Sequence, residues 1–473
     1  MRKPTKKKNR LKPGATPFQG SVVCLLLFGL TLLRLHVATS GSLNESEAML
    51  DVCATHPAGA YLEGPAGVPL LLGLKNLLFG SSESGIGFLA LRCVSPLAAL
   101  LLSWCVWWMG RQLAPQRPFI ALGAVVLVNL LPTVNLASLM MDGAMLTASM
   151  ILLCIMSGWN AVQAKRNQVL AAWILFGAAL GAGTFFYCPV GFLFPVAVVV
   201  RLISQGIKPF PWQAFLLAMI LLAAGWISPV LWNLRHDWLQ WSSVAAGFDS
   251  SRFLELTFPL GPVTAFSAAL VPLLLLLAVS NLWWRGLTLL AALLLSTGSA
   301  IILLLPQELP SGLPSPVGVE GLEPLTKSLM ALHEQQHDPH GQEEGSFLIA
   351  STPGLAALLD ARIRLNYPEC PDAPSVFTLE SPSMNSSFAL WPGYADAVAP
   401  AAKDILYSEE KYVSPFLGHN ALYITTESLR ELPQTLTGAF ASVRLVQEIP
   451  VTWNGRPITI RLYQCERYRA LSL

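Results

Sequence analysis

The stretch Gln213-AFLLAMILLAAGWISPVL-Trp232 contains no Asp, Glu, Lys or Arg and is long enough to cross the hydrocarbon core of a bilayer as a helix. Eight further apolar stretches have a similar character: 21–38, 87–108, 119–137, 143–159, 168–186, 189–204, 261–280 and 286–304. The chain is 53% hydrophobic and only 12% charged, too little charge to cover a soluble surface. The sequence therefore predicts a polytopic α-helical membrane protein with about nine transmembrane helices.

Two apolar segments near the N-terminus need separate interpretation. Residues 66–80 are short and rich in Gly and Pro, which predicts an interfacial or re-entrant helix. The segment 21–38 follows a basic leader and would also fit a signal peptide. Because Arg34 and His36 interrupt its end and no clear cleavage site precedes Ser40, we favour a retained first span.

Basic residues fall on one side of the predicted membrane. They are Arg2, Lys3, Lys6, Lys7, Lys8, Arg10 and Lys12 before the first span, then Arg111, Arg117, Lys165, Arg166, Arg201, Lys208 and Arg285 in alternate connections. Cytoplasmic loops are enriched in Lys and Arg, so we expect a cytoplasmic N-terminus and an extracytoplasmic location for residues beyond 305. The predicted location is the inner (plasma) membrane.

The composition predicts four regions along the chain. They are a cytoplasmic N-terminus (1–20), a transmembrane domain (21–305) with an outer loop at 42–86, a linker (306–345) and a periplasmic α/β domain (346–473). In the last region Phe347-Leu-Ile-Ala-Ser indicates a buried strand, and residues 443–468 indicate a hairpin that turns at Asn454-Gly455. The eight cysteines show no Cys-x-x-Cys metal spacing, although a disulfide between Cys370 and Cys465 would fit their predicted location.

Polar groups that could carry chemistry gather at the outer ends of the predicted spans. They lie in the outer loop (Glu45, Glu47, Asp51, Glu63), in the turn Met140-Met-Asp142-Gly and in Trp232-Asn-Leu-Arg-His-Asp-Trp238. A carboxylate in a partly dehydrated pocket has a raised pKa and can act as a general base. The alternative for each is a solvated charge at a helix end near the lipid headgroups.

Three of these stretches carry a family resemblance. Ser46-Glu47-Ala48 followed by Gly59-Ala-Tyr-Leu-Glu63-Gly-Pro65 resembles the outer-loop motif of the protein O-mannosyltransferase-like, aminoarabinose-transferase-like family. Met141-Asp142-Gly-Ala-Met-Leu is similar to that family's second acidic turn. Pro229-Val-Leu-Trp-Asn-Leu-Arg-His-Asp-Trp238 resembles its Trp-Asn-x-x-His-x-Trp segment. The C-terminal domain also looks like that of the family, whose members are C-type membrane glycosyltransferases.

The resemblance implies transfer of a sugar from a polyprenyl-phosphate donor to a lipid or other cell-envelope acceptor, with inversion. It implies Glu47 and Asp142 as the catalytic acids. The residues that it implies for substrate binding are Glu45, Glu63, Lys75, Arg92, Asn233, Arg235 and His236. Basic groups among them would stabilise the leaving lipid phosphate. No nucleic acid partner and no metal ligand set is expected, and the need for a cofactor stays open.

The outer loop departs from the family pattern at three positions. Ser46 stands where the leading acid is expected, Gly64 where some members have Lys, and Met49 where they have Arg. A serine hydroxyl cannot act as a base without a partner, so Glu47 or Glu45 would have to substitute. The alternative is a catalytically inactive relative that binds polyprenyl-linked sugar or scaffolds an envelope assembly. A solute or lipid transporter is disfavoured, because the spans after Arg92 contain almost no ionisable residue.

Overall fold

The computed structural model describes residues 17–80, 85–165, 167–205, 211–240, 260–280, 282–305, 318–336, 346–367, 370, 373–380, 386–395, 414–428, 431–453 and 455–469. The helices of the membrane part and the outer loop are α1 (Pro17–Ser40), α2 (Glu45–Thr55), α3 (Gly67–Phe79), α4 (Gly85–Leu113), α5 (Pro118–Asn129), α6 (Pro132–Leu139), α7 (Ala144–Gln163), α8 (Val169–Thr184), α9 (Leu193–Gln205), α10 (Trp212–Arg235), α11 (Leu260–Ser280) and α12 (Leu282–Leu304).

Five of the described helices are long and apolar enough to cross a membrane, and a sixth span results if α5 and α6 count as one. The chain is therefore a multi-pass helical membrane protein. The spans predicted at 168–186 and 189–204 correspond to apolar helices of at most 17 residues. The span predicted at 286–304 lies in α12, of which Leu290–Leu304 is the apolar part among the described residues. The predicted number of nine spans stays a prediction. The helix expected at 66–80 is present as the short apolar helix α3.

The span predicted at 119–137 is a broken helix. Helices α5 and α6 meet at an angle of 60°, and Pro132 stands at the start of α6. Asn135 Nδ2 donates to the Asn129 carbonyl oxygen at 3.0 Å, and Asn135 Oδ1 accepts from Arg34 Nη2 at 2.7 Å. Arg34 and Asn135 are both buried, so a polar link from α1 supports the backbone at the break.

Helices α8 and α10 approach each other through glycine. A Cβ atom on Gly177 would lie 2.5 Å from the Cα of Ala218, and one on Gly181 would overlap the Leu221 carbonyl oxygen. Small residues four positions apart let two membrane helices bring their backbones together. This contact fixes α10, at whose C-terminal end the Trp232–Trp238 motif lies.

The C-terminal part is a six-stranded sheet with helices, which we call the α/β unit. Its elements are β3 (Val319–Glu320), α13 (Leu322–Gln336), β4 (Phe347–Ala350), α14 (Pro353–Asn366), β5 (Val376–Thr378), β6 (Ala421–Thr425), α15 (Gln434–Ala439), β7 (Phe440–Trp453) and β8 (Arg456–Tyr468). The strand order is β3-β7-β8-β6-β4-β5, with β4 parallel to β5 and β6 and the other pairs antiparallel. Successive residues of β4 face opposite sides of the sheet. Phe347 and Ile349 pack into one apolar core, and Leu348 and Ala350 pack into another.

Three details of the predicted C-terminal region differ or stay untested. Strand β3 and helix α13 lie in the predicted linker 306–345, because Val319, Leu322 and Leu325 are apolar and pack into the core of the sheet. Cys370 and Cys465 are both free, so the suggested disulfide is absent. The predicted hairpin is formed by β7 and β8. Its turn includes Asn454, which lies outside the described residues.

The outer loop packs between the membrane helices and the α/β unit. It contains α2, the two-residue strands β1 (Ala60–Tyr61) and β2 (Gly64–Pro65), and α3. Ala48, Met49 and Val52 of α2 share one apolar core with α14 and with the Leu348 side of the sheet. Burial of this core holds the loop at the junction of the two parts.

We expect Gly181→Leu to lower the free energy of unfolding by about 1–3 kcal/mol, because the new side chain would separate α8 from α10. Thermal unfolding in detergent, followed by circular dichroism, measures the change. Gly29→Leu is the matched control, since a Cβ there meets nothing within 4 Å. Equal losses in the two variants would contradict close packing at Gly181.

Candidate active site

The outer loop begins with a capped helix. Asn44 precedes α2, and its side-chain oxygen accepts the Glu47 amide at 2.8 Å while Glu47 Oε2 accepts the Asn44 amide at 3.2 Å. This reciprocal arrangement is a capping box, which needs an N-cap residue followed three positions later by Glu or Gln. It turns the Glu47 carboxylate back towards the start of α2, where the side chain is fully buried.

A buried ion pair links α2 to α4. Arg92 Nη2 lies 2.9 Å from Glu47 Oε2, and neither side chain is exposed to solvent. The same guanidinium donates to the carbonyl oxygen of Ser42 at 2.6 Å, just before the helix. Arg92, predicted to bind substrate, therefore neutralises and orients the carboxylate that was predicted to be catalytic.

The turn before Asp142 is held at three consecutive residues. The Leu139 carbonyl accepts from Arg92 Nη1 at 3.1 Å, and the Met140 carbonyl accepts from Ser95 Oγ at 2.7 Å. The Met141 amide donates to Glu47 Oε1 at 2.8 Å. The backbone groups of this turn are thus fixed by α4 and by α2 together.

Asp142 comes directly after these three hydrogen-bonded residues and is only partly buried. Its Oδ1 accepts the Ala144 amide at 2.9 Å, and Gly143 (φ 84°) completes the turn into α7. Burial raises the pKa of the Asp142 carboxyl to about 6; the Ala144 amide opposes this rise and the nearby charge of Glu47 adds to it. A carboxylate with this pKa can accept a proton near neutral pH.

The structure locates the three residues at which the loop departs from the family pattern. Ser46 is exposed in the first turn of α2, and its hydroxyl donates to Asn44 Oδ1 at 2.9 Å. Met49 is buried in the shared core. Gly64 lies in the β1–β2 hairpin. The hydroxyl of Ser46 is therefore engaged in helix capping.

Glu45 and Glu63 both contact the α/β unit. The Ser387 amide donates to Glu63 Oε1 at 2.8 Å, and its hydroxyl donates to Glu63 Oε2. The Glu45 side chain lies against Gly354 at the start of α14 and is hydrogen-bonded to Trp453. Burial raises the pKa of Glu45, an effect that the Trp453 bond opposes. Both predicted substrate-binding acids thus join the outer loop to the sheet.

Lys75 lies beneath α2 on helix α3. Its Nζ is 3.8 Å from Asp51 Oδ1, and each side chain is only 5% exposed. Asn76 Nδ2 donates to the same Asp51 oxygen at 3.2 Å. This pair connects the two helices of the outer loop, and an anion would have to compete with Asp51 for the Lys75 charge.

The C-terminal end of α10 is linked to strand β1 by hydrogen bonds. Asn233 is buried and donates to the Pro229 carbonyl (2.9 Å) and to Gln240 Oε1 (3.0 Å). Gln240 Nε2 in turn donates to the Tyr61 carbonyl at 2.9 Å. Asn233 therefore acts through Gln240 to set the distance between α10 and the loop.

A cavity of about 500 Å³ lies beside this end of α10. It is bordered by residues 57–61 of the outer loop, by Trp232, Arg235 and His236 of α10, and by Ser387, Leu390 and Trp391 of the α/β unit. Arg235 is exposed, and the His236 ring stacks on Trp232 with centroids 4.2 Å apart. A cation, two indoles and a few polar groups suit a ligand with both apolar and anionic parts.

A second, apolar groove of about 420 Å³ follows the same helix deeper into the membrane part. Its lining is one stripe of α10: Met219, Leu222, Ala223, Trp226, Ile227 and Val230. The groove shares no lining residue with the cavity. At 3.6 residues per turn the two linings fall on nearly opposite faces of α10.

Three residues that border or support the cavity were not predicted: His56, Ser387 and Trp391. The ring of His56 stacks on Trp391 with centroids 4.3 Å apart. More than 300 residues separate the two parts of the chain, so no local pattern could have revealed the contact. Among the residues that the structure describes, no group of three His, Cys, Asp or Glu side chains could hold a metal ion.

We expect Arg92→Met to lower the free energy of unfolding by about 3–5 kcal/mol, because it leaves the Glu47 carboxylate buried without its cation. Lys327→Met is the control: its pair with Glu323 is 2.7 Å long but exposed, so its loss should leave the stability nearly unchanged. Thermal unfolding of both variants in the same detergent tests this. Similar losses of stability in the two variants would show that the buried ion pair contributes little to the stability.

Residues 63–232 match the family model described as dolichyl-phosphate-mannose-protein mannosyltransferase. Two solved structures of ArnT from Cupriavidus metallidurans are similar to the chain, each at 13% identity. The structure bound to undecaprenyl phosphate has a TM-score of 0.44, and the match covers 95% of this chain and 98% of that one. The apo structure has a TM-score of 0.42, and its match covers 94% of this chain and 98% of that one. No curated protein matches the chain. The match to the mannosyltransferase family confirms, over residues 63–232, the family resemblance predicted from the sequence motifs.

Proposed function

We propose that this protein is a membrane glycosyltransferase that moves a sugar from a polyprenyl-phosphate donor to a lipid or other cell-envelope acceptor at the outer face of the membrane. The observation that carries the proposal is Asp142, a half-buried carboxylate with a pKa of about 6 on a turn held by Glu47 and Arg92. The family match supports it, because that family is described by its use of dolichyl-phosphate mannose.

In the proposed reaction a hydroxyl oxygen of the acceptor attacks the anomeric carbon of the donor sugar. Its proton passes to the Asp142 carboxylate. The bond between the anomeric carbon and the phosphate oxygen breaks, and its electron pair leaves with the lipid phosphate, which gains one negative charge. In this proposal Arg235 and His236, which border the cavity, would offset that charge. Attack from the face opposite the leaving group inverts the configuration.

Glu47 has a supporting role in this proposal. Its two oxygens already bind Arg92, the Met141 amide and the Asn44 amide, and the side chain is fully buried. A carboxylate with these partners is not available to a substrate proton. We therefore assign Glu47 and Arg92 as positioning residues for the Asp142 turn, and Asp142 alone as the base of the predicted acidic pair.

The groove on α10 is the proposed location of the polyprenyl chain. It is apolar, and it shares no lining residue with the cavity that contains Arg235 and His236. A donor with its chain against Met219 to Val230 would have to pass around α10 for its phosphate to reach these two basic side chains. The predicted topology of nine spans has the N-terminus inside and residues 346–473 outside.

A binding protein without turnover is the second candidate. It is favoured by Ser46, which is exposed and engaged in capping where the family has its leading acid. Such a protein would hold polyprenyl-linked sugar in the same cavity and groove but would not consume it.

We expect Asp142→Asn to reduce sugar transfer by about 10²–10⁴-fold, because a general base contributes that much to proton transfer. In the wild type kcat/KM should rise with pH through about 6, since only the ionised carboxylate accepts a proton, and should fall about tenfold per unit below it. Labelled donor and membranes that contain each variant provide the measurement.

Glu448→Gln is the control for this experiment, because Glu448 forms an exposed ion pair with Arg461 on the hairpin. Full activity in Asp142→Asn would remove Asp142 as the base. Donor binding by the wild type without turnover, whatever acceptor is offered, would establish the second candidate instead.

We expect Arg235→Gln to raise the KM for the donor about tenfold or more, because a charge-assisted contact to phosphate contributes about 1.5–3 kcal/mol. Arg444→Gln, an exposed arginine on β7, is the matched control and should leave the KM unchanged. Steady-state kinetics at varied donor concentration distinguishes them. An unchanged KM in Arg235→Gln would place the donor phosphate elsewhere.

A further inference from the structure

We propose that the α/β unit forms one wall of the substrate site, and that Trp391 on this wall is the surface against which a pyranose ring of the substrate packs. The inference rests on the proposed glycosyl transfer and extends it to a part of the chain outside residues 63–232. Its basis is the cavity beside α10, which Ser387, Leu390 and Trp391 border on the side of the α/β unit.

The wall is a short 3-10 helix, Ser387–Leu390, followed directly by Trp391. Its position relative to the outer loop is fixed at Ser387, which is 1% exposed. Besides its two bonds to Glu63, Ser387 Oγ accepts the Leu62 amide at 3.0 Å. Glu63 is therefore the residue that places the wall, although it does not itself border the cavity.

Trp391 is held in one orientation by two other rings. His56 stacks on its indole with an interplanar angle of 21°, and Phe388 meets it edge to face with centroids 5.1 Å apart. An indole that is already ordered loses little side-chain entropy when a ligand packs against it. On the α10 side, Trp232 carries the second stacked imidazole, that of His236.

The chemistry of this space suits a carbohydrate ring. A pyranose has apolar C–H faces that pack on aromatic rings and hydroxyl groups that need polar partners. The cavity offers the two indoles together with Arg235, the Ser228 hydroxyl and backbone of residues 57–61. Its volume of about 500 Å³ would admit one such ring beside a phosphate. The ring could belong to the donor or to a sugar on the acceptor.

The contact between the α/β unit and the rest of the chain is not closely packed everywhere. Elsewhere the outer loop and the α/β unit share a continuous apolar core, as in the contact of α2 with α14. Between Trp391 and α10 the surfaces instead leave an open cavity that is bordered by basic and aromatic side chains. Unlike the shared core, this part of the contact therefore has room for a ligand.

The test uses the full chain in lipid nanodiscs and compares the wild type with Trp391→Ala, Trp391→Phe and Leu417→Ala. Steady-state kinetics are measured with varied polyprenyl-phosphate mannose as the donor. In a second series the varied substrate is a cell-envelope extract that supplies the acceptor. Equilibrium binding is measured with octyl mannoside and, as the sugar-free probe, octyl phosphate. Leu417 is exposed on the same unit and serves as the control for nonspecific loss of stability.

We expect Trp391→Ala to weaken octyl mannoside binding about tenfold or more and to raise one KM to the same degree, with kcat within about threefold. Trp391→Phe, which keeps an aromatic surface, and octyl phosphate binding should change by less than about threefold. A rise in the donor KM assigns the ring to the donor, and a rise in the acceptor KM assigns it to the acceptor.

Equal octyl mannoside affinity in the wild type and Trp391→Ala would overturn the inference. So would equal losses in Trp391→Phe and Trp391→Ala. Absence of turnover in the wild type would instead overturn the proposed reaction, and sugar binding that depends on Trp391 would still support the wall. The two failures can therefore be told apart.

Discussion

The buried ion pair between Glu47 and Arg92 is the interaction on which the geometry of the site depends. Removing two charges from water costs several kcal/mol per ion, and their attraction offsets this only when further hydrogen bonds satisfy both groups. Here those partners are backbone groups of Ser42, Asn44, Leu139 and Met141, and of the guanidinium nitrogens Arg92 Nε has no partner among the described residues. These hydrogen bonds fix the positions of α2, α4 and the turn before Asp142 relative to one another.

Helix α2 transmits this constraint to the α/β unit. One side of the helix holds Glu47 against α4, and its apolar residues pack into the core that contains α14 and the sheet. Glu45 and Glu63 add contacts at the start of α14 and at Ser387. A change in the position of the α/β unit would therefore alter the outer loop, which explains why a cavity between them can have a defined shape.

Local patterns in the sequence were sufficient for several of these features. The apolar stretches, the buried strand Phe347–Ala350 and the β7–β8 hairpin each follow from short-range patterns. The partners of the polar groups were not accessible in this way. Glu47 meets Met141 across 94 residues, and Glu63 meets Ser387 across 324. Only the folded chain shows that both acids are occupied.

The contrast between Glu47 and Asp142 shows how two neighbouring carboxylates can take different roles. Glu47 is fully buried, yet it has a cation and two amides as partners, so its negative charge is well accommodated. Asp142 accepts the Ala144 amide, and desolvation raises its pKa to about 6, although the residue is not fully buried. Burial without a counter-charge favours proton uptake by a carboxylate. In our proposal this difference in partners, rather than the position of either acid in the motif, makes Asp142 the base.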